Sequence, residues 1–308
     1  MKILFEWLIF PGFVFIFLLS LIVSWIDRKV TARIHYRVGP PWYQGFADFL
    51  KLLGKETLIP AEGNKMVFLA SPLIGVVGAA LVSFILMKTN FNPGVTFVGD
   101  LIVILYLLIL PPLAIILGGS ASANPLAAIG VSREIKLLIA YELPFIIAAL
   151  IPVVKVDSIQ LGSIINYQVQ HGTIFTHSIS GFLAFFVALI CMTAKLGYAP
   201  FDVAEAETEL AGGAVIEYGG PPLAFTILAK QVLLFTAPIF LSTLFLGGLH
   251  FKGLNILWAV LKYVLVLVAF ILIKNTNPRL RIDQIIKFFW GKVFIISLIA
   301  FVLAILGL

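Results

Sequence analysis

Apolar residues fill eight long runs, at about 3–26, 67–87, 100–118, 135–154, 179–197, 223–248, 253–274 and 292–308. Crossing the hydrocarbon core as a helix takes about 20 such residues. Inside lipid the backbone must satisfy its own hydrogen bonds, so each run predicts a helix. Barrel strands would alternate apolar and polar positions, and these runs do not. The pattern predicts an all-α polytopic membrane protein of about eight transmembrane helices, with residues 1–308 forming a single transmembrane domain. Pro111 and Pro112 should kink or end the third helix, and Pro144 the fourth, because proline removes a backbone donor. The first run lacks a basic leader and a small-residue cleavage site, so it reads as a span rather than a removed signal.

The polar positions between the runs give the orientation. The first connection holds Arg28, Lys29, Arg33, Arg37, Lys51, Lys55 and Lys65. The third holds Arg133 and Lys136, and the seventh Arg279, Arg281 and Lys287. The even connections hold one lysine each: Lys88, Lys155 and Lys252. Basic residues mark cytoplasmic loops. The odd loops are therefore expected in the cytoplasm and both termini outside, in a multi-pass protein of the plasma membrane.

Residues 27–66 read as a basic, amphipathic cytoplasmic loop. Arg33 and Arg37, four apart, would share a helical face before Gly39-Pro40-Pro41 breaks it. Apolar positions 46, 49, 50, 52 and 53 with charges at 48, 51, 55 and 56 predict an amphipathic helix at the interface. Two uses fit this loop: an orientation signal that binds lipid headgroups, or a platform whose arginines grip a partner's carboxylates.

Composition narrows the picture. The 308 residues are 61% hydrophobic and 12% charged, with mean hydropathy +1.10. A soluble domain has about twice that share of charge. The net charge of +6 reports membrane orientation rather than nucleic-acid binding. Cys191 lies alone in an apolar run and reads as a small buried hydrophobe. His35, His171, His177 and His250 lack ligand spacing, so no metal site is expected.

Acids are concentrated in one place. Asp202, Glu205, Glu207, Glu209 and Glu217 are five of the fifteen acids, within the acidic cytoplasmic loop 198–222. If that stretch is helical, Asp202, Glu205 and Glu209 share a face and Glu207 points elsewhere. Carboxylates that close should titrate as a coupled set with some values raised, which suits a proton path. Glu142 lies inside the fourth run, and an intramembrane acid is a functional candidate by default. Glu134 lies about two turns before it, where Arg133-Glu134 opens the span. The preceding stretch, 118–136, is rich in small residues, so a backbone or a partner can approach closely. Arg279, Arg281 and Asp283 form a second possible docking patch, and Trp290 suits an interfacial aromatic belt.

The ordered set of loop motifs resembles one family over nearly the whole chain. The motifs are Asp27-Arg28-Lys29-Val30 through Arg37-Val38-Gly39-Pro40, then Ala47-Asp48 and Lys51 to Lys55-Glu56. Arg133, Tyr141-Glu142, Pro200-Phe201-Asp202, Glu205-Ala206-Glu207, Glu209-Leu210 and Glu217-Tyr218 follow. Pro278-Arg279-Leu280-Arg281-Ile282-Asp283-Gln284 closes the set. This resembles the complex I membrane subunit that joins the peripheral redox arm to the pumping arm, a subunit shared with membrane-bound, energy-converting hydrogenases. Quinone-reducing members carry an acid and an arginine shortly before Pro-Phe-Asp, where this chain has Lys195 and Tyr198. Gly130 to Glu134 looks closer to the hydrogenase-type branch.

The resemblance implies a non-catalytic coupling subunit of a ferredoxin-fed complex of membrane-bound hydrogenase or sulfur-reductase type. Its implied proton path is Glu134, Glu142, Asp202, Glu205, Glu207, Glu209 and Glu217, with Lys195 tuning their charge. Its implied redox-arm docking residues are Arg28, Lys29, Arg33, Arg37, Lys51, Lys55, Glu56, Arg133, Arg279, Arg281 and Asp283. Implied partners are a soluble hydrogenase-like large subunit, an iron–sulfur small subunit, antiporter-like membrane subunits, membrane lipid and, indirectly, ferredoxin. No nucleic acid is implied. This chain would bind no cofactor; iron–sulfur clusters, with nickel–iron as an option, would belong to the partners. Two alternatives stand beside this reading. One is a quinone-site subunit of an NADH- or ferredoxin-quinone oxidoreductase. The other is a stand-alone secondary transporter, a class that usually shows internal repeats not evident here.

Overall fold

The structure, a computed structural model, describes residues 6–251, 253 and 255–308; the side chains of Glu207 and Thr208 lie outside the description. The described residues are largely helical and include no strand. In chain order the helices are α1 (Phe13–Ile34), α2 (Gln44–Leu53), α3 (Lys65–Phe91), α4 (Asp100–Leu107), α5 (Leu110–Ala121) and α6 (Pro125–Val156). Then come α7 (Leu161–His171), α8 (Ile179–Lys195), α9 (Gly220–Phe245), α10 (Asn255–Thr276), α11 (Ile282–Lys287) and α12 (Phe294–Ile305). α4 and α5 make one span, broken just before Pro111-Pro112 as those prolines predict. α11 and α12 make another, joined by a π-helical turn at Phe288–Val293. Among the described residues, seven spans are long and apolar enough to cross a membrane, and α8, at 17 residues, is a shorter apolar eighth.

α9 is the hub. Every residue from Gln231 to Phe245 is buried, and α9 packs chiefly on α3 and α1. Lipid tails are as apolar as leucine, so helix association in a membrane relies on close packing and polar links. Both are present. α3 buries Gly75, Gly78 and Ala79, and its Ser83 hydroxyl hydrogen-bonds Thr236 of α9. Asn90 Nδ2 donates to Thr243 Oγ1 at 2.8 Å, and its Oδ1 accepts from Leu249 N at 2.6 Å.

Several predicted boundaries shift. α6 begins at Pro125 with Asn124 as its cap, so Arg133, Glu134 and Lys136 lie over two turns inside a helix and not at its opening. It runs on through Pro144 and Pro152, so Pro144 does not end it. α1 stops at Ile34, and Arg37 N returns to Ala32 O at 2.7 Å through Tyr36 at φ +58°. Arg33 and Arg37 therefore do not share a helical face. The seventh connection shortens, because α11 already carries Asp283 and Lys287. The amphipathic helix is found at α2, with Lys51 in its last turn. α7 was not anticipated.

The odd connections meet at one end of the bundle. Leu280 N of the seventh donates to Pro200 O of the fifth at 3.0 Å, and Arg28, at the end of α1, pairs with Asp48 of α2 at 3.1 Å. Glu6 and Lys88, 3.7 Å apart, mark the opposite end. This sorting of charge is what an eight-span topology demands.

Candidate coupling site at the charged end

The acidic loop is not a helix. It holds one α-helical turn, Glu207–Leu210, and one 3-10 turn, Gly213–Val215, so Asp202, Glu205 and Glu209 do not line one helical face. The loop folds back on itself through Ala214 N to Ala204 O, at 3.3 Å, and presses against α6. Gly130 makes that approach possible: a Cβ there would stand 2.5 Å from Ala214 N and 2.8 Å from Ala204 O. The backbone that the small residues of 118–136 admit is thus this chain's own acidic loop. Tyr218 fixes the loop's far end, stacking on Phe68 at 4.3 Å and donating to Phe68 O at 3.0 Å.

Each described acid of the loop finds a separate partner on a distant element. Arg279 donates to Asp202 at 2.7 Å, and Arg133 of α6 to Glu209 at 2.5 Å. Lys230 of α9 pairs with Glu205. Asn124 donates to Glu217 at 2.5 Å. The Glu207 side chain lies outside the described residues. Burial pushes the Asp202 carboxyl above its ordinary value, against the pull of Arg279 and with a further push from Glu205.

Asp202, Glu205, Lys230, Glu134 and Lys195 line one small cavity, about 30 Å³, which is room for about two water molecules. Glu134 is buried there, with no hydrogen-bond or ion-pair partner among the described residues. A buried carboxylate in that position calls for water or a proton. Beyond it, the fully buried Lys195 ammonium donates to Glu142 at 2.8 Å and sits 5.1 and 4.8 Å from the Tyr141 and Phe145 ring centres. Glu142 Oε1 and the Tyr141 hydroxyl are buried with no partner among the described residues. The polar groups therefore run from the exposed Arg279 to the membrane-embedded Glu142, through a space sized for water.

A second cluster closes the loop's near end. Asp27 of α1 accepts from Lys274 of α10 at 2.8 Å and from the Tyr198 hydroxyl at 3.1 Å, with Lys274 4.3 Å over the Tyr198 ring. Burial, reinforced by Asp27, pushes the Tyr198 hydroxyl well above its usual range and keeps it a donor.

Comparison with known proteins identifies the scaffold. The family model described as NADH dehydrogenase matches residues 8–305. The NADH-quinone oxidoreductase subunit 8 of Thermus thermophilus is 38% identical over 295 residues, covering 90% of this chain and 79% of that protein. The chain belongs to the NADH dehydrogenase subunit 1 family. Another relative, an NADH-quinone oxidoreductase subunit from Geobacillus kaustophilus, is 34% identical over 292 residues, covering 90% of this chain and 86% of its own. Among solved structures, a chain of the membrane-bound sulfane sulfur reductase, an archaeal respiratory membrane complex, matches with TM-score 0.84 and 29% identity. It covers 94% of this chain and 96% of its own. The protein is a complex I-type, multi-pass membrane subunit of this family, and its relatives are subunits of multisubunit respiratory complexes.

The residues predicted for docking fall into two groups. Lys29, Arg33, Arg37, Lys51, Lys55, Arg281 and Asp283 make no ion pair among the described residues, and all but the half-buried Lys29 are exposed. Glu56 is also exposed and unpaired. Arg28, Arg133 and Arg279 are instead spent on Asp48, Glu209 and Asp202. Sequence reasoning missed Lys230, Lys274, Asn124 and the partnership of Asp27. The signal for Lys230 was available: a lone lysine in a long apolar run merits the attention given to Glu142. Cys191 is buried, and no group of three or more metal-ligating side chains gathers among the described residues.

Proposed function

We propose that this chain is the membrane-anchoring and coupling subunit of a ferredoxin-fed respiratory complex of hydrogenase or sulfur-reductase type. It holds the iron–sulfur redox arm on its exposed basic end and relays the redox step through a carboxylate chain to proton or sodium translocation in antiporter-like neighbours. The redox groups belong to a hydrogenase-like large subunit and an iron–sulfur small subunit. The observation that carries this reading is the water-sized cavity lined by Asp202, Glu205, Lys230, Glu134 and Lys195, which leads to the Lys195–Glu142 pair.

The size of that space supports a proton route over a quinone headgroup. Two waters fit in about 30 Å³, and a substituted quinone ring does not. Waters between groups that alternately hold and release a proton make a relay. The orphaned Glu142 Oε1 and the unpaired Glu134 are the places where a proton can rest. Glu209, more than half exposed on its Arg133 partner, suits the mouth of the path, and Glu217 its margin.

The test uses the whole complex in sealed vesicles. Glu142→Gln and Glu209→Gln should assemble and turn over yet lose coupled ion transport; unchanged pumping by both would remove the path. A quinone-site inhibitor should leave turnover intact, and activity should persist in quinone-free membranes. Inhibition would favour the quinone-reducing alternative.

A further inference from the structure

We propose that the groove at the outer ends of α3 and α4 binds a phospholipid with an ethanolamine headgroup. Its phosphate would meet Lys88, its ammonium Asp100, and an acyl chain would run down between the two helices. The site lies at the end of the bundle opposite the acidic cavity and does not rest on the coupling role.

The groove has a volume of about 600 Å³, within the range of small-molecule sites. Its polar groups lie at one level. Lys88 is in the last turn of α3, Asp100 opens α4, and Thr96 stands in the connection between them. Its apolar lining lies deeper. Leu81 and Leu107, each seven residues further into the membrane on its own helix, are about 10 Å below that level. Phe84 and Ile85 fill the interval on α3, and Trp7, packed on the Phe84 ring at 4.7 Å, forms a side wall. Polar rim and apolar trough thus follow the order in which a lipid presents its headgroup and its chain.

Two polar observations choose the headgroup. Asp100 is fully buried. Its Oδ1 accepts from Leu101 N at 2.8 Å and from Leu161 N at 2.9 Å, which ties α4 to α7. Its Oδ2 has no partner among the described residues. A buried carboxylate oxygen left bare calls for a donor, and a charged donor offsets its burial best. Lys88 is the matching cation. Its ion partner Glu6 stands 3.7 Å away, beyond hydrogen-bond reach, so the ammonium keeps donors for a phosphate. A cation and an anion lining one groove fit a zwitterion. Phosphatidylglycerol would satisfy Lys88 and bring no cation to Asp100. Phosphatidylcholine has the same charges, but its quaternary ammonium carries no N–H to donate. A quinone has no charged group for either residue.

The experiment places the assembled complex in phosphatidylcholine nanodiscs containing a trace of phosphatidylethanolamine with a photoactivatable group along its acyl chain. Labelling should concentrate on the segments Leu81–Ile85 of α3 and Val103–Leu107 of α4. One charged hydrogen bond supplies about a tenfold preference. At that preference, replacing half of the phosphatidylcholine by unlabelled phosphatidylethanolamine should cut labelling about fivefold. Replacing half by phosphatidylglycerol should leave it nearly unchanged. Asp100→Asn keeps the Oδ1 acceptor and so both backbone bonds, and it should erase the fivefold drop. Ile85→Trp keeps both charges and fills the trough, and it should abolish the label. Three results would overturn the proposal: no fivefold drop in the wild type, a drop of wild-type size in Asp100→Asn, or a label that falls on other segments or on a neighbouring subunit alone.

Discussion

The first and fifth connections lie at the same end of the bundle, carry opposite charge and use it in opposite directions. The cations of the first connection mostly face outward, and six of the seven, Lys29, Arg33, Arg37, Lys51, Lys55 and Lys65, have no ion partner among the described residues. The described acids of the fifth are each paired with a residue from a different part of the chain, Asp202, Glu205 and Glu217 partly buried and Glu209 at the exposed mouth. Exposed single charges add little to stability and are free for partners. Buried, paired charges are costly to assemble and sensitive to the loss of either member. One connection is therefore a surface for recognition, and the other is a mechanism built into the fold.

The strongest way to break this contrast is at Lys195. Lys195→Met strands the Glu142 carboxylate and should cost about 3–5 kcal/mol, read as a lowered unfolding midpoint of the purified complex. Adding Glu142→Leu should recover most of the loss; a double variant as unstable as the single would show that the pair is not the unit. Next in size is the contact that seats the acidic loop. Gly130→Val forces a side chain onto Ala214 and should cost about 1–3 kcal/mol, exposing the loop to protease while the spans stay intact.

The first connection should behave differently. Arg33→Ala and Arg37→Ala should change stability by less than about 0.5 kcal/mol, yet weaken retention of the redox arm, an effect that shrinks as salt rises. Loss of stability with retention unchanged would reverse the assignment. The smallest effect concerns pH. Asp202 holds its proton more firmly in the folded state than in the unfolded chain, because burial raises its value above the ordinary 3.8. Its contribution to stability is therefore fully present below 3.8 and lost as pH rises through the raised folded value. Asp202→Asn should flatten that part of the stability profile and leave the rest of it unchanged.

The spans were legible because apolar length is a direct requirement of hydrocarbon. The same criterion sees only the part of a helix that lies in lipid. It therefore missed the first turns of α6, where Ser132, Arg133 and Glu134 interrupt the apolar run, and all of α7, whose Leu161–His171 sequence is mixed. The acids of the fifth connection were visible as a cluster, but their arrangement was not. Helical spacing suggested a shared face, whereas the loop's partners lie far off in sequence: Arg279 is 77 residues from Asp202, and Arg133 is 76 from Glu209. Such pairings arise from packing, and no local spacing encodes them. The departure at Lys195 was readable as unusual, and only the fold shows it paired with Glu142.

The division of labour between the two connections can be read in one quantity: ions moved per electron by the whole complex in sealed vesicles. For Glu205→Gln and Glu142→Gln, turnover should persist while that ratio falls toward zero. For Arg33→Ala with Arg37→Ala, turnover should fall with loss of the redox arm while the ratio for the remaining complexes stays at the wild-type value. A wild-type ratio in both acid variants, or a reduced ratio in the arginine variant, would contradict the account.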